Sequence, residues 1–116
     1  MRSDKRNIIV ELTVEFALEI IKLAEQLKAN KQFEIANQIF RSGTSIGANV
    51  REAQNAESKA DFIHKLKIAA KEADETAYWL ELCRKSENYH SRIDLEEKVV
   101  GISKVLSKII SSTKKS

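Results

Sequence analysis

Two histidines and the carboxylates beside them are the first residues to test for chemistry. Di-metal sites in helical bundles take a Glu from each of two helices and Glu-x-x-His from each of the other two. Glu87-Asn88-Tyr89-His90 has that spacing, and Asp61-Phe62-Ile63-His64 nearly has it. His64 falls at the start of one helical segment and His90 just beyond its end, 26 residues apart. That is roughly 39 Å along a straight axis, so one subunit cannot bring both to one ion. They read as two surface histidines, and no metal or cofactor is expected. Ser42, Thr44 and Ser45 lie close in sequence, but no histidine is placed to act as their base. No glycine-rich turn follows a strand, as a nucleophile elbow requires. A Walker-type phosphate loop is absent. The carboxylates Glu72, Asp74, Glu75 and Glu81 read as a charged helix face, because acid–base work would need a cleft that the sequence does not indicate. No catalytic residue is assigned, and an enzyme is not expected.

Binding chemistry is better represented. Between Arg41 and Lys71 the bases are Arg41, Arg51, Lys59, Lys65, Lys67 and Lys71, against the acids Glu52, Glu57 and Asp61, a net of +3. Between Glu72 and Cys83 there are four acids and no base. Basic surfaces attract phosphate backbones, so these six residues are the candidate nucleic-acid contacts. The plainer reading is a solvated face with ordinary charge pairing. Tyr78 and Trp79 are adjacent, so they point about 100° apart on a helix and cannot share one seam. A subunit interface is the candidate role for the pair, since both types are enriched at interfaces. Asn49 and Glu52 flank inner positions and need polar partners, which Arg41, Arg51 or Trp79 would supply as a structural network.

These residues sit on four helical segments. The first covers about residues 8–29, with Leu12, Phe16, Ile20, Leu23 and Leu27 at helical spacing and Asn30 as its stop. The second covers 32–57, with Ala36, Ile39, Phe40, Gly43, Ile46, Gly47, Val50 and Ala53 inward. Ser42 to Ala48 resembles a loop by propensity, yet the periodicity passes through it in phase. Its two interior glycines cost about 1 kcal/mol each against alanine. Close approach of a neighbouring helix would offset this, and the small residues of the third helix are the expected neighbour. That third helix covers 59–87, opened by Ser58 and Asp61 as a capping box. Phe62, Leu66, Ala69, Ala73, Thr76, Leu80 and Cys83 form its seam at an alternating 4-3 spacing. The fourth covers 91–112 with Leu95, Val99, Ile102, Leu106 and Ile109, followed by a polar tail expected to fray. Short connections make the neighbours antiparallel. The expected fold is therefore an all-α, up-down-up-down four-helix bundle, one domain over residues 1–116.

Composition agrees. The chain has 116 residues, no proline and three glycines, which argues against sandwiches and barrels. Its formal charge of +3 is a mild bias. Cys83 has no partner for a disulfide and reads as a packed thiol. Arg2, Asp4, Lys5 and Arg6 precede only Ile8-Ile9-Val10, which is no signal peptide, and no apolar run would span a membrane. The cytoplasm is the expected compartment.

The stretch Arg41-Ser42-Gly43-Thr44-Ser45-Ile46-Gly47-Ala48-Asn49-Val50-Arg51-Glu52-Ala53-Gln54 resembles the signature of the bacterial four helix bundle protein family, also called ribosomal-RNA intervening-sequence proteins. The resemblance continues through Ser58–Leu66 and Lys71–Leu82 and spans roughly residues 16–87. Many members carry proline where this chain has Gly47, and Glu-Gly in place of Ala53-Gln54, so it resembles a sub-branch. The resemblance implies a homopentamer. It also implies similarity to the accessory proteins of diversity-generating retroelements, which are pentameric and basic and bind nucleic acid and a reverse transcriptase. The expected function is a non-enzymatic oligomeric adaptor for RNA or DNA. The alternative is a protein–protein interaction scaffold with no nucleic-acid role.

Overall fold

The computed structural model describes residues 7–116, so the charged segment containing Arg2, Asp4, Lys5 and Arg6 lies outside the described residues. Four helices follow one another: α1 (Ile8–Ala29), α2 (Phe33–Ala53), α3 (Lys59–Lys85) and α4 (Ile93–Lys115). They form an antiparallel bundle measuring 47 × 21 × 21 Å. Each helix packs on its sequence neighbour, and the α1–α4 contact that closes the ring is the slightest.

Local chemistry sets the ends. Asn7 caps α1 by accepting from the Val10 amide at 3.3 Å. At the other end Asn30 is the C-cap, the stop expected from sequence, but the left-handed residue is the next one, Lys31 (φ 64°), while Asn30 itself has φ −92°. Gln32 N–H donates to Leu27 O and Lys31 N–H to Lys28 O, both at 2.9 Å, which is a Schellman cap built without glycine. α2 ends four residues earlier than periodicity indicates. The amides of Gln54, Asn55 and Ala56 turn back to carbonyls three residues behind, and the chain tightens out of the α-helix before α3 begins. Ser58 Oγ accepts from the Asp61 amide at 3.0 Å, as a capping box requires, but Asp61 reaches the Glu57 amide rather than that of Ser58. α3 stops two residues short of the expected end. α4 starts at Ile93 and continues through the tail expected to fray. Ile109 and Ile110 pack on the core, Thr113 Oγ1 donates to Ile109 O at 2.7 Å, and the last-turn lysines suit the negative end of the helix dipole.

The core runs the length of the bundle through Phe16, Ile20, Leu23 and Leu27 of α1, Ile39, Ile46 and Val50 of α2, Leu66 and Leu80 of α3, and Leu95, Val99 and Leu106 of α4. Each such side chain contributes about 1.5–3 kcal/mol on burial. Leu12 and Phe62 are only half-buried against it, and Phe40, expected inside, is exposed. Thr13 is buried instead, its hydroxyl donating to the Ile9 carbonyl at 2.9 Å.

α2 is unbroken through Ser42–Ala48, and its glycines explain why. A Cβ on Gly43 would stand 2.7 Å from Ile20 Cγ2, and one on Gly47 would stand 3.3 Å from Thr13 Cβ. The helix brought close is therefore α1, not α3 as expected. Of the small residues of α3, Thr76 meets Ser42 instead. Thr76 Oγ1 lies 2.7 Å from Glu72 O and 2.9 Å from Ser42 Oγ. A carbonyl only accepts, so the Thr76 proton goes there and Ser42 donates to Thr76.

The weak α1–α4 side is clamped at one end. The Arg92 guanidinium reaches Glu19 and Asp94, each at 2.9 Å. Arg92 is the main cause that holds the Asp94 carboxyl down at about 2, and it holds Glu19 below the usual carboxylate range too.

Candidate functional site

α3 places its charged residues on two different faces. Toward α2, Arg41 bonds Glu75 and lies 3.4 Å from Glu72. Trp79 Nε1 donates to the same Glu75 carboxylate at 3.0 Å. Two to three turns nearer the α2–α3 connection, Lys65 pairs with Glu52 at 2.9 Å, and that bond is the main cause raising the lysine's pKa. Of the six candidate bases, two are thus committed to carboxylates. Lys59 bonds the Ser116 carbonyl. Arg51, Lys67 and Lys71 are exposed and make no ion pair among the described residues. Arg51 sits on α2, while Lys67 and Lys71 lie one turn apart on the outer surface of α3, so the six do not form one patch.

What joins Lys67 and Lys71 comes from α4. The Arg84–Glu96 pair at 3.0 Å fixes the antiparallel register of α3 and α4. A shallow groove bordered by Asp74, Ala77, Val100, Ser103 and Lys104 continues it. Extending that register sets Lys71 at the height of Lys108, with Lys67 one turn farther toward the end of α4 and Lys104 one turn the other way; Lys104 and Lys108 are also exposed and unpaired among the described residues. From Lys98 to Ser116 the chain has five lysines and no acid. That signal is legible in sequence, outside the basic stretch from Arg41 to Lys71. Lysine ammonium groups without carboxylate partners remain available to bulky anions such as phosphodiesters.

The remaining candidates are scattered. Asn49 Nδ2 donates to the Ser45 carbonyl at 2.9 Å, whereas Glu52 is exposed and serves Lys65, so the two take separate partners, neither of them Arg41, Arg51 or Trp79. Tyr78 is 55% exposed and Trp79 half-buried, their rings 5.1 Å apart and tilted by 58°. A second groove, of about 690 Å3, opens where α2 begins and is walled by Phe33, Trp79 and Tyr89. His64 and His90 are both exposed. Among the described residues no group of three His, Cys, Asp or Glu is placed to hold a metal ion. Cys83 is buried, and burial pushes its thiol up to about 11, so it is a packing residue rather than a nucleophile at neutral pH. Among the described residues no helix is long and apolar enough to cross a membrane.

Comparison with known proteins agrees with this architecture. A family model described as 23S rRNA-intervening sequence protein matches residues 5–108. A solved structure of a protein of unknown function from the S23 ribosomal protein family of Bacteroides thetaiotaomicron is 46% identical, with a TM-score of 0.84. The match covers 88% of this chain and 97% of that one. No curated protein gives a significant match.

Proposed function

The chain belongs to the 23S rRNA-intervening sequence protein family, and on that premise we propose that it is a non-enzymatic, homo-oligomeric adaptor that binds RNA or DNA through the outer surface of α3 and α4. The observation that carries the reading is the run Lys67, Lys71, Lys108 and Lys104 along the outer side of α3 and α4, with Lys71 and Lys108 level with each other and none of the four paired to a carboxylate among the described residues. Arg51 and Lys59 extend the positive field at the same end, where α2 finishes and α3 starts. Self-assembly multiplies it: five copies at +3 each carry 5 × 3 = +15. Support for assembly comes from α1 and α2, which leave Val14, Leu18 and Phe40 between 40 and 55% exposed. Apolar faces of this kind mark association sites. In this reading the contact lies there and not at Tyr78 and Trp79, since Trp79 lines the groove at the start of α2 and Tyr78 leans against Trp79.

The test is fluorescence anisotropy of short labelled RNA and DNA against the purified protein over a range of salt. Affinity is expected to fall with salt at a slope of about −0.9 per phosphate contact. The double substitution Lys71→Glu/Lys108→Glu is expected to reduce that slope by about 2 and the affinity at least tenfold, with helicity and mass unchanged. Salt-independent affinity, or a double variant that binds like the parent, overturns the reading. Light scattering tests assembly separately, a pentamer of 13.2 kDa chains weighing about 66 kDa. An oligomer that ignores nucleic acid would favour the interaction scaffold, for which the exposed α1–α2 residues are the specific support.

A further inference from the structure

The lysine surface accounts for phosphate contacts but says nothing of bases. The groove at the start of α2 does. Phe33, Trp79 and Tyr89 line it, three of the chain's seven aromatic residues (four Phe, two Tyr, one Trp). Phe33 is 54% exposed, so much of its ring adds nothing to the packing of its own subunit. Lys31 stands at the rim, and the Asn37 amide makes no hydrogen bond among the described residues. Within the wall, Gln32 Nε2 donates to the Asn88 carbonyl at 2.8 Å, which leaves Oε1 buried and without a donor. Flat apolar walls, an unused side-chain amide and a rim cation suit a planar group rich in donors and acceptors, attached to an anion.

The groove is connected to the lysine surface. Tyr78 leans against Trp79 and lies on the outer surface of α3, two turns beyond Lys71 at positions i and i+7. Between them, Glu72 and Glu75 would repel a phosphate chain. Arg41 bonds both carboxylates, and the Trp79 indole bonds Glu75 as well, so most of that charge is compensated. Asp74 on this path and Glu34 in the groove lining are the acids without such a partner among the described residues. Lysines followed by a ladder of ring faces are how proteins hold unpaired strands, because every base has a face to stack while a duplex hides its own.

We infer that the preferred ligand is single-stranded nucleic acid, with one base stacked in the groove between Phe33, Trp79 and Tyr89 while the backbone crosses the lysines of α3 and α4. The inference rests on the proposed nucleic-acid reading and adds to it the strand form and the base contact. Trp79 is the chain's one tryptophan, so all tryptophan emission comes from the groove wall. The experiment titrates the full chain with an end-labelled single-stranded RNA, the same backbone made abasic, and a duplex of equal length. Label anisotropy reports binding, and Trp79 emission reports stacking. Quenching by the single strand only is expected, with the abasic strand and the duplex bound more weakly and without quenching. Phe33→Ala, at an exposed position that leaves the core intact, is expected to weaken single-strand binding about tenfold and leave duplex binding unchanged. Binding of all three ligands with equal affinity and no change in Trp79 emission overturns the groove while the lysine surface stands. No binding of any ligand by anisotropy overturns both readings. Quenching of Trp79 by a peptide but by none of the nucleic acids would reassign the groove to a protein partner and also overturn the inference.

Discussion

The two long faces of α3 differ in a way that the order of its residues conceals. Toward α2 every charge in the middle of the helix is answered: Glu72 and Glu75 by Arg41, Lys65 by Glu52, and the buried Thr76 hydroxyl by Ser42. Away from α2, Lys67 and Lys71 have no carboxylate partner among the described residues and face solvent beside the lysines of α4. Read along the chain, the same helix looks basic in its first half and acidic in its second. Read around the axis, it has one neutralised face and one basic face. Pairing within a bundle works around the axis, because residues three or four apart share a face whatever stands between them. The comparison teaches that net charge over a segment is a poor guide to surface charge in a helical protein.

If the α2 side of α3 is structural, breaking it should cost the most stability. Thr76→Val removes the acceptor that Ser42 uses and strands a buried hydroxyl, an expected loss of about 1–3 kcal/mol by urea unfolding. Adding Ser42→Ala to Thr76→Val should recover much of it, since both partners are then apolar. A loss that the second substitution does not relieve would mean that packing, rather than the hydrogen bond, carries the contact. On the outer face, Lys67→Glu or Lys71→Glu should move stability by less than about 0.5 kcal/mol, as is usual for unpaired surface positions.

The glycines extend the contrast between a packed seam and an open face. Gly43→Ala drives a methyl into the buried Ile20, a β-branched side chain with little freedom to move. Overpacking of about 1–3 kcal/mol against a helix-propensity gain of about 1 predicts a net loss of up to about 2 kcal/mol. Gly101→Ala on α4 meets nothing within 4 Å and should stabilise by nearly 1 kcal/mol, read as a higher melting temperature. Equal effects at the two positions would mean that the close α1–α2 approach is not maintained in solution. Lys31→Gly sits at the left-handed cap between these helices and should gain about 0.5–1 kcal/mol.

The smallest effect concerns pH. Burial is the first cause that raises the Cys83 thiol, to about 11, with the Glu96 charge the second. The neutral thiol is the form that the fold favours. Its contribution is therefore complete below the ordinary thiol value of about 8.5 and is lost as the pH rises through about 11. Cys83→Ala should flatten stability curves in that alkaline window and leave their shape at pH 6–8 unchanged. Rapid alkylation of the native thiol at pH 8 would contradict its burial.

The apolar period alone was sufficient for four helices, their antiparallel order and nearly all of the core, because a 3.6-residue repeat of Leu, Ile and Ala has few other ways to leave water. It also carried α2 through Ser42–Ala48 against local propensity. Three things were decided only in three dimensions. Which helix the glycines admit depends on rotation about the bundle axis, and that set them against Ile20 and Thr13 of α1. Helix ends depend on single hydrogen bonds, which moved the left-handed cap to Lys31 and kept the polar tail of α4 helical. The basic surface depends on which lysines find carboxylates across a helix–helix contact. That withdrew Arg41 and Lys65 from the surface read in sequence and supplied Lys104 and Lys108 from a helix 40 residues away. Charge acts through space over a few ångströms, and residues that are close in sequence are only some of those that are close in space.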